Sequence, residues 1–171
     1  MINSIDIFLG TIILLIGFTY WSINLSEYNN NYVYSVKEDY KLSKAIETLK
    51  TLADDGTLEN AVLLYYFGEV NTSKHLLEEK INLDRYMVKI DGHMLINKSY
   101  VNNGDRYVVA VLVLNRSEGW YVIYGNYSTI KISKNRYLDF DEALNEYSNY
   151  TIHMPVYLSK NISVSRVVLY Y

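Results

Sequence analysis

The chain opens on a run with no polar side to it. From Ile7 to Ser26 no side chain is charged, and Phe8 to Phe18 is almost wholly apolar. Twenty helical residues at about 1.5 Å each reach about 30 Å, the hydrocarbon thickness of a bilayer. Tyr20 and Trp21 fall where an aromatic belt would meet the outer interface. No Lys or Arg precedes the run, it is longer than a signal's apolar core, and no Ala-x-Ala-like site follows Trp21. The pattern therefore predicts a retained membrane helix and not a cleaved secretory signal.

After a polar joint at residues 28–32, a helical period begins. Val36, Tyr40, Ala45, Ile46, Leu49, Leu52 and Ala53 recur at three- and four-residue steps and make one apolar face. Lys37, Glu38, Lys41, Lys44, Glu47 and Lys50 take the other side as a solvated charged face. Gly56, after Asp54 and Asp55, is expected just beyond the C-terminus. Thr57 is the expected cap of a second helix over 58–67, which Gly68 ends. Asn71 or Thr72 is expected to cap a third over 73–81, with Leu76, Leu77 and Ile81 facing inward.

From Arg85 the period changes to two. Residues 86–90 predict a strand, Asp91-Gly92 a turn, and 94–96 a second short strand. Residues 107–114 are apolar on both faces and predict a central, covered strand. Residues 115–119 return the chain as a hairpin into 120–124, and 129–132 extend the sheet. A short amphipathic helix is expected within 139–147. The segment 151–158 contains Pro155, the single proline, which suits an edge position. Residues 164–171 end the chain as a strand. The expected fold class is α+β: an N-terminal hydrophobic helix (1–26), a helical segment (27–84) and a mainly antiparallel β domain (85–171).

Composition changes this picture in two places. A formal charge of −3, with no basic block anywhere, gives no electrostatic case for nucleic acid. The absence of Cys excludes disulfides and thiolate zinc sites. Of 17 Asn, seven lie in Asn-x-Ser/Thr sequons, at Asn24, Asn71, Asn97, Asn115, Asn126, Asn149 and Asn161, where chance usage gives about two. Such an excess predicts an exported chain carrying N-linked glycans. Lys37, Lys41 and Lys44 follow the apolar run and favour a cytoplasmic domain by the positive-inside rule. Lys37 lies more than ten residues past the run, however, and acids are interspersed with these lysines. The sequons are the stronger signal. Tyr supplies 19 residues; Tyr28, Tyr32, Tyr34, Tyr40, Tyr65 and Tyr66 are candidates for subunit contacts, with half-buried helix and strand faces the preferred reading.

Catalysis needs convergent groups, and few are in view. His75, His93 and His153 are widely separated, with no ligand spacing between them. No Gly-rich loop follows a strand. Asp54-Asp55 and the group Asp139, Asp141 and Glu142 read as helix-end acids and not as a calcium loop. No nucleophile–base pair is apparent. The expectation is a protein that is not an enzyme, with no catalytic, cofactor-binding or metal residues and no cofactor.

One further residue stands out. Asp6 sits at the mouth of the apolar helix, two residues after Ser4. An ionised acid costs about 2.5–3.5 kcal/mol at a bilayer centre and less near its edge. With Ser4, Asp6, the apolar helix and a helix-then-sheet domain, the chain resembles archaeal type IV pilin-like proteins, the class III signal peptide family. Counting Ile2 as the first mature residue, Ser4 falls at the family's Ser and Asp6 at its Glu. Asp stands in place of Glu, Ile2 in place of the usual Gln, and no basic leader precedes them. Either the native start lies upstream or this member is never processed. The resemblance implies a minor or accessory pilin-like subunit of a surface filament, anchored by residues 5–25 with its C-terminal domain outside the cell. Its partners would be other pilin-like subunits, and membrane lipid before assembly. Ser4 and Asp6 would be assembly contacts, the acid neutralised by a neighbour's N-terminal ammonium. The plain alternative leaves Asp6 in the headgroup region, in a non-polymerising single-span protein such as an envelope receptor or a motor-anchoring subunit. Gly10 and Gly17 suit helix packing in either setting.

Overall fold

A computed structural model describes residues 4–102, 104–126 and 129–171, with side chains from Phe8 onward. The fold is α+β, with an apolar N-terminal helix, and it divides into two compact units, Met1–Leu42 and Ser43–Tyr171.

A single helix, α1 (Ser4–Asp54, 51 residues), makes the first unit and enters the second. The joint expected at residues 28–32 is absent, for these residues are helical. Asn29-Asn30-Asn31 includes no Gly or Pro, and Asn costs at most about 0.7 kcal/mol per residue in a helix. A helix already nucleated propagates through so weak an interruption.

In the second unit the last turns of α1 bury Ala45, Leu49 and Leu52. Helix α2 (Thr57–Tyr66) begins after Gly56, as expected, but Thr57 is not its cap. The Thr57 N–H instead donates to Asp55 Oδ1 at 2.9 Å, and Thr57 itself is buried. The end of α2 is a Schellman turn: Gly68 N–H donates to Tyr65 O at 3.1 Å and Glu69 N–H to Leu64 O at 2.9 Å. Gly68 takes the left-handed φ of 86° that this turn requires. Helix α3 (Val70–Lys80) starts at Glu69, whose carbonyl accepts from Ser73 N–H. Asn71 and Thr72 thus lie inside the first turn and cap nothing. Ser73 points inward and donates to Ala61 O at 2.7 Å, fixing α3 on α2.

Among the described residues seven strands follow: β1 (Tyr86–Ile90), β2 (His93–Lys98), β3 (Tyr107–Arg116), β4 (Gly119–Asn126), β5 (Thr129–Ile132), then, after helix α4 (Phe140–Asn145), β6 (Ile152–Leu158) and β7 (Ile162–Tyr170). They form two antiparallel sheets, β2-β1-β7-β3 and β5-β4-β6. Asp91 (φ 47°) and Gly92 (φ 85°) make the β1–β2 turn with both residues left-handed. Pro155 lies on β6, an edge of the smaller sheet, as expected.

The expectation of β3 as a central, covered strand is overturned. The chain's last strand takes the centre of the larger sheet and pairs on both sides, leaving β3 at the end. Residues 115–119 carry the chain out of that sheet, so β3 and β4 are not hairpin partners. One principal core joins α1, α2 and α3 to the inner faces of both sheets, through Leu58, Leu64, Leu77, Val88, Leu158 and Leu169.

Candidate functional site

Two parts of the molecule carry polar or apolar groups that packing alone does not explain. The first is α1. Every residue from Phe8 to Lys37 is exposed, Leu14 at 75 %. The helix is long and apolar enough to cross a membrane, with a mean hydropathy of 1.7 over its most apolar window. Polar side chains within the run bond to the helix itself. Thr19 Oγ1 donates to Leu15 O at 2.8 Å, and Asn24 Nδ2 to Tyr20 O at 2.8 Å. Where water is absent, such bonds to a carbonyl one turn back satisfy the donor without a partner chain. The side chains of Ser4 and Asp6, the expected assembly contacts, lie outside the described residues.

Beyond the first 26 residues α1 stays aromatic at its surface. Tyr28, Tyr32, Tyr34 and Tyr40 are all exposed, Tyr40 at 67 %. The half-buried explanation preferred for the tyrosines fails for these four. It holds for Tyr65 and Tyr66, which pack against the core.

The second part is a polar tie around the β1–β2 turn. The Asp91 carboxylate accepts from Tyr66 OH, from Ser165 Oγ at 2.8 Å and from Arg166 N–H at 2.7 Å. Lys160 Nζ lies 4.8 Å from the Tyr66 ring centroid. A shallow cleft of about 320 Å³ opens here, lined by Tyr65, Tyr66, Val70, Asp91, His93 and Lys160. Burial pushes the Tyr66 hydroxyl up, the bond to Asp91 and the charge of Asp91 push it further, and it reaches about 12. Burial also pushes the Asp91 carboxyl up, but its hydrogen bonds and the Lys160 charge prevail and hold it below the usual range. Asp91 joins α2, the β1–β2 turn and β7, and its partners are 25 and 74–75 residues away in sequence. As sequence it reads only as turn chemistry.

The other sequence candidates remain apart. His75 and His93 are exposed, and His153 Nε2 lies 3.4 Å from Ala143 O. Among the described residues no three His, Asp or Glu side chains gather as a metal set. Asp139 is the N-cap of α4, its Oδ1 accepting from Glu142 N–H at 2.7 Å, so the acids there serve the helix end. A second cleft of about 530 Å³, around Glu118, Arg136, Tyr157 and Asn161, is lined mainly by polar groups already bonded to one another.

All seven sequon asparagines are exposed. Asn97, Asn126 and Asn161 each use Oδ1 to accept a backbone N–H, from Val101 at 2.9 Å, Thr129 at 2.9 Å and Glu118 at 2.7 Å. Asn115 takes a left-handed φ of 47°, and Asn149 lies in the turn after α4. Asn71 is a helical residue whose sequon hydroxyl, on Ser73, is buried and bonded.

No family model matches the chain. No solved structure matches it either. It is 60 % identical, over 174 residues, to the uncharacterized protein MJ1471 of Methanocaldococcus jannaschii, the match covering 99 % of this chain and 98 % of the relative.

Proposed function

The chain belongs to one family with the uncharacterized protein MJ1471 of Methanocaldococcus jannaschii; from its own helix we propose that it is a pilin-like structural subunit. It is a minor or accessory member of an archaeal type IV pilus-like surface filament, assembled by packing of its N-terminal helix. The observation that carries this reading is the unbroken helix, exposed at every residue from Phe8 to Lys37. Its 51 residues extend about 77 Å at about 1.5 Å each, more than twice a bilayer's hydrocarbon core of about 30 Å. Lipid covers about 20 residues of such a helix. Tyr28, Tyr32, Val33, Tyr34, Val36 and Tyr40 lie beyond that length and are still exposed. Neighbouring helices in a filament would cover both parts.

Asp6 is the residue on which the filament and a plain anchor differ. In a packed bundle a neighbour's ammonium offsets the cost of its charge, whereas a lone span leaves it among headgroups. Replacing Asp6 with Ala is expected to abolish recovery of the protein in sheared filaments while leaving membrane insertion intact. Unchanged recovery would assign the helix to a single-span envelope protein instead.

The domain Ser43–Tyr171 lies outside the cell in this reading. The exposure of the six sequon asparagines that lie in this domain, Asn71 to Asn161, supports it. Mass spectrometry of the native protein is expected to find N-linked glycans on peptides from this set. Unmodified peptides at all seven would remove the main support for external placement.

A further inference from the structure

We propose that β3 is a dimerisation edge, where two copies of the chain pair their larger sheets into one eight-stranded sheet. The two ends of that sheet differ. At one end β2 is short and exposes His93, Asn97 and Lys98, polar groups of the sort that blunt an open edge. At the other, β3 runs for 10 residues, pairs among the described residues only with β7, and has no charged side chain from Tyr107 to Leu114. Its outer side chains are exposed and apolar: Tyr107, Val109, Val111 at 64 % and Val113 at 70 %. A long, uncharged, apolar open edge is a template for another strand.

The register decides which strand. Tyr171 N–H donates to Arg106 O at 3.0 Å. By the alternation of an antiparallel ladder, Val108, Ala110 and Leu112 then spend their backbone groups on β7. The N–H and C=O of Tyr107, Val109, Val111 and Val113 therefore turn to the open edge. These four are spaced symmetrically about Ala110. Two copies run antiparallel with Ala110 on the two-fold axis pair Tyr107 with the copy's Val113 and Val109 with the copy's Val111. All four residues of each copy are then used, for about eight new backbone hydrogen bonds. The aromatic and β-branched pairs are those that stabilise sheets. Arg106 falls opposite Leu114, whereas a register centred on Val111 would set Arg106 against Arg116. A strand whose edge-facing residues are spaced symmetrically can pair antiparallel with its own copy in an isologous, closed interface, and the occupant proposed is a second copy.

The test uses the absence of native cysteine. At the axis the two Ala110 Cα atoms would lie about 4.5 Å apart, within disulfide range. Like Val113 residues would lie about 20 Å apart, out of range. Under mild oxidation of the full chain in detergent, Ala110→Cys is expected to give a disulfide-linked dimer of twice the chain mass, and Val113→Cys to stay monomeric. Val111→Lys, at an exposed position, is expected to abolish the Ala110→Cys dimer while the melting temperature holds. An Ala110→Cys chain that stays monomeric, equal cross-linking at Val113→Cys, or a dimer untouched by Val111→Lys would each overturn the proposal. So would an oxidised product whose mass reveals another protein on the edge. Asp6→Ala is expected to leave this cross-link unchanged, so failure of the filament reading and failure of this one are separable.

Discussion

In the unit Met1–Leu42 the described large apolar side chains, from Phe8 to Tyr40, are exposed. In the unit Ser43–Tyr171, Leu58, Leu63, Leu64 and Leu77 are each at most 1 % exposed. The two are alike in hydrophobic content and opposite in its arrangement. A helix apolar on every side and exposed in its own fold needs cover from outside the chain, whereas a helix with one apolar stripe can be covered by its neighbours in the fold. The same helix α1 shows both cases. Around Leu14 all sides are apolar, while around Leu49 the apolar Ala45, Leu49 and Leu52 face the core and Ile46, Glu47 and Lys50 do not. Periodicity, more than hydrophobicity, says where the cover comes from.

The strongest way to break this comparison is to cut one leucine in each unit. Leu64 is fully buried in the principal core, and its replacement by Ala removes contacts and leaves a cavity, expected to cost about 2–5 kcal/mol. Leu14→Ala is expected to leave the stability of the second unit unchanged. Urea denaturation in detergent, followed by Trp120 fluorescence in a Trp21→Phe background, reads both. A loss of comparable size from Leu14→Ala would mean that the first unit is held by the second and needs no outside cover.

Local signals in the sequence found most of the elements. Strand period, the Asp91-Gly92 turn, Gly56 and Gly68 as stops, and Pro155 on an edge all act over a few residues. What escaped the sequence acts over more. Three asparagines resemble a break, but no local cue says that a helix nucleated on both sides runs through them. Thr57 is a good cap residue, yet Asp55 is closer to the free N–H and Thr57 is taken into the core. The apolar character of β3 was legible, but its place was not. That place depends on β7, whose pairing with both β1 and β3 sets the sheet order from the far end of the chain. The Asp91 tie has the same origin, since two of its partners arrive with β7. Asp6 stands out as an acid at the mouth of an apolar helix, Ser4 and the assembly role come by resemblance, and an assembly contact needs the assembly to be seen.

A smaller test sharpens the contrast through charge, which among the described residues only the second unit uses to join distant elements. The Asp91 pKa is depressed in the folded protein, so its contribution is present above the unfolded value near 4 and is lost as pH falls through the folded one. The Tyr66 pKa is raised to about 12, so its contribution is present below about 10 and is lost as pH rises from there toward 12. Melting temperature against pH is expected to fall on both sides of a plateau. Asp91→Asn keeps an amide oxygen for some of the three donors. It is expected to cost about 1–2 kcal/mol at neutral pH and to flatten the acid limb. Tyr66→Phe is expected to flatten the alkaline limb. An acid limb as steep in Asp91→Asn as in the parent would remove Asp91 from this role.

The smallest effect compares two polar side chains that serve the ends and turns of helices. Asp139 caps α4 through Glu142 N–H, and Glu142 Oε2 in turn accepts from Leu138 N–H at 3.0 Å. Helix α4 holds Ala143 in a small second core, and Phe140 at its start meets the Trp120 ring edge-on at 5.2 Å. Loss of a cap costs about 0.5–2 kcal/mol, and in a helix of six residues little else replaces it. Asp139→Ala is therefore expected to cost about 1 kcal/mol, to speed amide exchange in α4 and to shift Trp120 emission. Asn24 makes a bond of similar length, but only to Tyr20 O of its own helix. Asn24→Ala removes donor and need together, so no buried group is left unpaired. Its expected effect on the second unit is nil. Equal effects from the two substitutions would show that a polar side chain in the first unit also bears on the fold of the second.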